Sequence, residues 1–288
     1  MSEVQFAVPE FAAPDDMTTP VSVSRPSDKV WNLLRADAVR ISAEEEILRG
    51  FIHGAVLFHD DYASALGALL AHKLGDRNMP AERLERLTHE ALIEDPGIVD
   101  AGAADLIAIL ERDPAADSYL TPFLYFKGFH ALQWHRIGHW LWTHGRHSLA
   151  HFLQSRVSEV FAIDIHPAVP IGRGVFIDHG TGLVVGETAE IGNNVSILQE
   201  VTLGGTGKEH GDRHPKVRDG VLISAGAKVL GNIVIGRGAK IGAGSVVLKE
   251  VPECATVVGV PAKVVGWCSG PAAALAMDQS LPEPDYSI

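Results

Sequence analysis

A six-residue period in the second half of the chain constrains its fold more than any other feature. Ile171, Ile177 and Leu183 stand six apart. After a two-residue insertion the step resumes at Ile191, Ile197 and Leu203, and after a longer interruption at Ile223, Val229, Ile235, Ile241 and Val247. Gly follows the aliphatic residue at 172, 192, 204, 236 and 242. One inward aliphatic side chain per six residues, followed by a turn, closes a triangular coil of about eighteen residues. Stacked coils then bury one continuous aliphatic column, which a single coil cannot do. Gly192, Asn193, Asn194, Gly231 and Asn232 supply the backbone freedom of the corners. Five consecutive matches from 223 to 247 argue against a β-sandwich with accidental spacing.

The preceding segment reads differently. From residue 28 to about 160 the apolar residues follow helical spacing. Ile47, Leu48, Phe51, Ile52, Ala55 and Val56 form one stripe, with Ser42 and Glu45 as a capping box before it. Leu66, Leu69, Leu70 and Leu74 form a second, which Gly75 can end. Leu106, Ile109 and Leu110 mark a third helix, and residues 128–140 a fourth that is rich in aromatics. Pro9, Pro14, Pro20 and Pro26 suggest a loose N-terminal tail. The expected division is a tail at 1–26, a helical domain at 27–160, the coil domain at 161–266 and a flexible C-terminal tail at 267–288.

The net charge of −12 over 288 residues argues against a nucleic-acid binder. Residues 201–263 nevertheless hold nine Lys/Arg against five Asp/Glu, a local excess that suits a small polyanion as well as it suits chance. Cys254 and Cys268 fit neither a disulfide framework nor a zinc motif and read as reduced thiols of a cytoplasmic protein. No basic, apolar leader and no apolar run of membrane-spanning length is visible.

Residues 204–220 break the period with a polar, Gly-rich insertion, expected to project as a loop. Its Gly-Gly-Thr-Gly-Lys resembles a phosphate loop, but Thr202 stands where Gly is required and Glu209 where Ser or Thr is required. Nucleoside-triphosphate hydrolysis is therefore excluded. His130, His135 and His139 share a helix without carboxylate partners, so packing is favoured over metal binding.

Longer strings carry a resemblance. Residues 164–187, from Asp164-Ile-His-Pro to Val-Val-Gly-Glu187, are similar to the serine O-acetyltransferase family of hexapeptide-repeat acyltransferases. So are Val195-Ser-Ile-Leu-Gln-Glu-Val-Thr-Leu-Gly-Gly-Thr-Gly-Lys208 and Gly211-Asp-Arg-His-Pro-Lys216. In the helical part, Arg112-Asp-Pro-Ala115 and Lys127-Gly-Phe-His-Ala-Leu-Gln133 are similar as well. The resemblance spans about residues 28–267. It implies an α+β chain with an N-terminal helical domain and a left-handed parallel β-helix. It also implies a hexamer of two trimers joined through the helical domains, with active sites between neighbouring β-helices. The implied reaction moves acetyl from acetyl-CoA, a co-substrate and not a resident cofactor, to the L-serine hydroxyl.

The resemblance assigns His179 as the base and Asp164 as its carboxylate partner. Imidazole titrates near neutral pH and can take a hydroxyl proton, while a carboxylate fixes its tautomer. Spacing alone leaves His179 open as a packed or capping residue, and the fifteen residues from Asp164 amount to a little under one coil. Asp113 and Asp178 match positions that bind the serine ammonium and hydroxyl. Arg213 and His214 match those that bind the carboxylate, which Arg suits as a planar partner. Asp113 also reads as a helix N-cap before Pro114, and Arg213 as a solvated loop charge.

For the pantetheine arm, small residues at Gly205, Ala225, Gly226 and Ala243 allow close backbone approach, and Lys240 and Lys263 are candidate phosphate partners. Gly204 and Gly205 could present a backbone N–H to the oxyanion. The tail ending in Ile288 resembles those that enter O-acetylserine sulfhydrylase, and L-cysteine is the expected feedback inhibitor. The competing readings are another hexapeptide acyltransferase with a sugar or antibiotic acceptor, a γ-type carbonic anhydrase, and a non-catalytic scaffold.

Overall fold

The structure, a computed structural model, describes residues 25–207, 210–268 and 270–281. Eight helices come first among them: α1 (Pro26–Glu44), α2 (Glu46–Ile52), α3 (Tyr62–Leu74), α4 (Ala81–Glu94), α5 (Pro96–Arg112), α6 (Leu120–Tyr125), α7 (Lys127–Thr143) and α8 (His147–Phe161). Pro26 presets the first turn of α1, and Asp28 accepts a hydrogen bond from the Arg25 N–H at 3.1 Å. α3 is capped by Asp61, whose Oδ1 accepts from the Ser64 N–H at 2.8 Å, and it stops at Gly75.

The expected capping box at Ser42 does not form. Ser42 lies inside α1 and its hydroxyl donates back to the Val39 carbonyl at 3.0 Å, leaving Glu45 as the N-cap of α2. α2 passes into a π-helical turn, His53–Leu57. Of the stripe read there, Ile52 and Val56 are buried, whereas Ile47 is 94% exposed.

From Ile163 the chain winds into a triangular β-helix of three parallel faces. The first face stacks β1 (Ile163–Ile165), β3 (Leu183–Val185), β6 (Thr202–Gly204), β9 (Lys228–Leu230) and β12 (Val246–Val247). The second stacks β2 (Phe176–Ile177), β5 (Ser196–Ile197), β8 (Leu222–Ile223), β11 (Lys240–Ile241) and β13 (Ala255–Gly259). The third holds β4 (Glu190–Ile191), β7 (Lys216–Val217) and β10 (Val234–Ile235). Ile177, Ile197, Ile223 and Ile241 stack in register and are buried, as the six-residue step requires. β14 (Ala262–Trp267) closes the stack as an antiparallel partner of β13.

That hairpin overturns the reading of two reduced thiols. Ala255 pairs with Trp267, so the flanking Cys254 and Cys268 face each other and form a disulfide with Cα atoms 5.1 Å apart. Residues 270–281 then lie along the second face. Ala273 and Ala274 pack on Leu198 and Leu222, and the Ser196 hydroxyl donates to the Ala274 carbonyl at 3.0 Å.

The helical part and the β-helix share one apolar core. A buried polar group fixes their junction. Asp105 on α5 is fully buried and pairs with Arg136 on α7 at 2.7 Å. It also accepts from Gln133 at 3.0 Å and from the Val175 N–H of the first coil at 2.8 Å. A buried carboxylate is tolerated only when it is satisfied in this way. No helix among the described residues is long and apolar enough to cross a membrane.

Candidate active site

Strand register locates the two-residue insertion. Ile177 pairs with Ile197 and Val185 with Leu203, so eight residues separate Ile177 from Val185 where six separate Ile197 from Leu203. The extra pair therefore falls in the corner at residues 178–182, before Leu183 rather than after it. Leu183 is also buried, stacked on Ile163, so two aliphatic residues fit the inward pattern and sequence alone chooses the wrong one.

This enlarged corner carries His179. His179 and Gly180 occupy the left-handed region in succession (φ +53° and +70°), a conformation costly for a residue with a Cβ. The His179 side chain is 76% exposed and its Nε2 lies 3.7 Å from Asp178 Oδ1. Burial pushes the Asp178 carboxyl above its ordinary value; His179 opposes the rise and the Asp113 charge adds to it. Asp113 does not cap a helix at Pro114. It ends α5, and its Oδ1 accepts from the Ala115 N–H at 2.9 Å.

The N-terminus of α7 supports the corner. Lys127 Nζ donates to the Thr181 hydroxyl. A Cβ on Gly128 would lie 2.1 Å from the Ile177 carbonyl oxygen, so only glycine lets the helix approach this closely.

The same edge continues along the stack. His179, Gln199, Ala225 and Ala243 each stand two residues after an inward isoleucine, at 177, 197, 223 and 241. The Gly226 N–H donates to the Gln199 carbonyl and the Gly244 N–H to the Ala225 carbonyl, which joins successive corners. Gln199 was missed from the sequence, although its place in the step marks it. Its Oε1 is buried without a hydrogen bond among the described residues.

A second cluster occupies the next corner, between the first and third faces. Arg213 donates to Glu187 at 2.8 Å, which holds the Glu187 carboxyl below its ordinary value. The Thr188 N–H donates to His214 Nδ1 at 3.2 Å, and the Thr188 hydroxyl lies 2.8 Å from the same nitrogen. Nδ1 therefore accepts and Nε2 carries the proton. Burial lowers the His214 pKa and the Arg213 charge lowers it further, which favours that neutral form. A Cβ on Gly186 would collide with the ring at 2.0 Å. Gly205 lies against Arg213, whose Cγ would be 3.5 Å from a Cβ built there.

Asp164, outward on β1, belongs with this second group. It acts on His166, which also feels Glu187 and Arg213. Asp164 Oδ1 accepts from Gln154 at 2.7 Å. No hydrogen bond or ion pair joins Asp164 to His179 within the chain, among the described residues. One chain thus holds two separate groups, Asp113, Asp178 and His179 at one corner and Asp164, Arg213 and His214 beside the next.

Comparison with known proteins identifies the type of enzyme. Residues 30–134 match the family described as serine acetyltransferase, N-terminal, and residues 214–249 match bacterial transferase hexapeptide repeats. The serine acetyltransferase of Escherichia coli is 56% identical over 87% of this chain and 92% of its own length. The chain belongs to the serine acetyltransferase family. A serine acetyltransferase structure in complex with cysteine superimposes with a TM-score of 0.87 at 51% identity, covering 89% of this chain and all of that one. Another, in complex with CoA, gives 0.80 at 52% identity over 83% and 100%.

As a serine acetyltransferase, the chain transfers acetyl from acetyl-CoA to the L-serine hydroxyl on a left-handed β-helix. The products are O-acetyl-L-serine and CoA, in the first step from serine to cysteine. Of the residues expected to meet acetyl-CoA, Ala225, Gly226 and Ala243 lie on the His179 edge. Lys240 is on the second face, nearly buried, and its Nζ donates to the Ser280 carbonyl at 2.6 Å and approaches Asp278 at 3.4 Å. Lys263 is exposed on β14. His130, His135 and His139 each bond a backbone carbonyl, of Phe123, Val169 and Pro167, at 2.7–2.9 Å. Burial lowers the first two to about 4 and about 3. Ile288 lies outside the described residues.

Proposed function

We propose that acetyl transfer occurs in a composite site where the Asp113–Asp178–His179 corner of one β-helix faces the Asp164–Arg213–His214 corner of a neighbour. The separation of these two groups within one chain carries this reading. In it His179 takes the serine hydroxyl proton as the hydroxyl oxygen attacks the thioester carbonyl carbon. The C–S bond breaks, and the imidazolium returns the proton to the departing CoA sulfur. Asp164 of the neighbour orients the imidazole and stabilises its charged form.

Asp113 and Asp178 receive the serine ammonium, whose charge compensates the burial of Asp178. Arg213 and neutral His214 receive its carboxylate through charge-assisted and neutral hydrogen bonds. Gly205 approaches the same group. Acetyl-CoA runs along the small residues Ala225, Gly226 and Ala243, and exposed Lys263 is its remaining phosphate candidate, because Ser280 and Asp278 already hold Lys240. Trimers associate into a hexamer through the helical domains.

L-cysteine, which differs from serine by a thiol in place of the hydroxyl, occupies the serine site as an inhibitor. The related complex with cysteine supports this. Ile288 docks on O-acetylserine sulfhydrylase, and the enzyme acts in the cytoplasm.

Subunit mixing tests the composite site. His179→Ala and Arg213→Ala homo-oligomers should each lose nearly all turnover of L-serine and acetyl-CoA. After co-refolding, mixed oligomers should regain a substantial fraction, because some interfaces pair two intact corners. Mixtures no more active than their parents would place both groups in one chain's site.

A further inference from the structure

Gln154 on α8 plays no part in the reaction as described above, yet it touches the carboxylate assigned beside the base. Its Nε2 donates to Asp164 Oδ1 at 2.7 Å, and its Oε1 lies 3.2 Å from His151 Nδ1. The two contacts fix the amide in one orientation. Turned over, it would set its oxygen against a carboxylate oxygen, two acceptors with no proton between them. In the observed sense His151 Nδ1–H donates to Oε1 and the amide donates onward. His151, itself exposed, meets two aromatic rings. Trp142 stands edge-on to it at 5.3 Å and His166 at 5.4 Å. Buried Leu153 and Val157 anchor the same stretch of α8 in the core. Asp164 Oδ2 makes no hydrogen bond among the described residues.

We propose that Gln154 is a positioning residue for acetyl transfer. It pins one oxygen of Asp164 so that the other is presented to the imidazole of the base. The proposal rests on the assignment of Asp164 as the partner of His179. A helix of the N-terminal domain thereby reaches into the β-helix chemistry without touching either substrate. His166 after β1 is the titratable group that Asp164 acts on, and His151, Glu187 and Arg213 act on the same imidazole.

The test is a double-mutant cycle on the full-length enzyme. Gln154→Met keeps the side-chain length and removes the donor; it should lower kcat about tenfold, the loss expected for a charge-assisted hydrogen bond. KM for L-serine and for acetyl-CoA should stay within about twofold, since the side chain meets neither. Gln154→Glu, which sets a carboxylate against Asp164, should be slower than Gln154→Met. In an Asp164→Ala background Gln154→Met should cost nothing more.

Wild-type kcat in Gln154→Met, or an equal loss in both backgrounds, would overturn the positioning role while leaving Asp164 in the site. Full activity in Asp164→Ala alone would remove the site assignment itself.

Discussion

Three of the four corners along one edge of the β-helix are built to the same plan, and the fourth departs from it. At Gln199–Glu200, Ala225–Gly226 and Ala243–Gly244 the chain turns within the six-residue step and spends one left-handed residue, Glu200, Gly226 or Gly244. Between Ile177 and Val185 it takes eight residues and spends three, His179, Gly180 and Gly182. The ordinary corners stack, two of them with the small residues Ala225–Gly226 and Ala243–Gly244. The enlarged corner sets a histidine on a backbone that disfavours it, next to a carboxylate whose charge burial opposes. Two additional residues change a stacking element into a chemical one, and α7 underneath keeps that corner fixed.

Deleting Gly180 and Thr181 would give the enlarged corner the ordinary length. Circular dichroism should still report folded helix and sheet, while turnover should fall by about 10²–10⁴, the contribution of a positioned base. More than a tenth of wild-type activity in that variant would break the contrast between the corners. A smaller effect is expected at Gly186→Ala, where the new Cβ must displace the His214 ring. KM for L-serine should rise about tenfold, the value of one good hydrogen bond to the carboxylate, with KM for acetyl-CoA little changed. The smallest effect sharpens the reading of the ordinary corners: Ala243→Leu should raise KM for acetyl-CoA a few-fold and leave KM for L-serine alone. An effect on serine instead would move the CoA path off this edge.

The hexad step was legible because each six-residue rung turns one aliphatic residue inward, and stacking preserves that spacing through the whole domain. The place of the insertion was not, because Leu183 and Val185 are both aliphatic and both buried, and only pairing with the next coil separates them. The pairing of Cys254 with Cys268 stayed hidden for a similar reason. It depends on an antiparallel return that the parallel period does not announce.

His179 and Asp164 were visible as residues, but fifteen positions along a solenoid do not say which corner each one occupies. Asp164 lies outward on a face, bonded to Gln154 and sharing His166 with the arginine of the next corner, and no hydrogen bond or ion pair joins it to His179 among the described residues. Ser42 followed a valid capping pattern and lost to a helix that simply continued through it. Gln154 and Gln199 carry no charge and match no motif, so only the folded chain brings them to notice.

Gly128 has a consequence for how the molecule can respond to load. With no side chain between α7 and the first coil, helix and corner meet backbone to backbone, without a compressible layer to absorb displacement. Asp105 bolts the same junction from the other side. A push on the N-terminal helices, whether from a bound protein or a crystal neighbour, is therefore carried as through a solid lever to the histidine's loop.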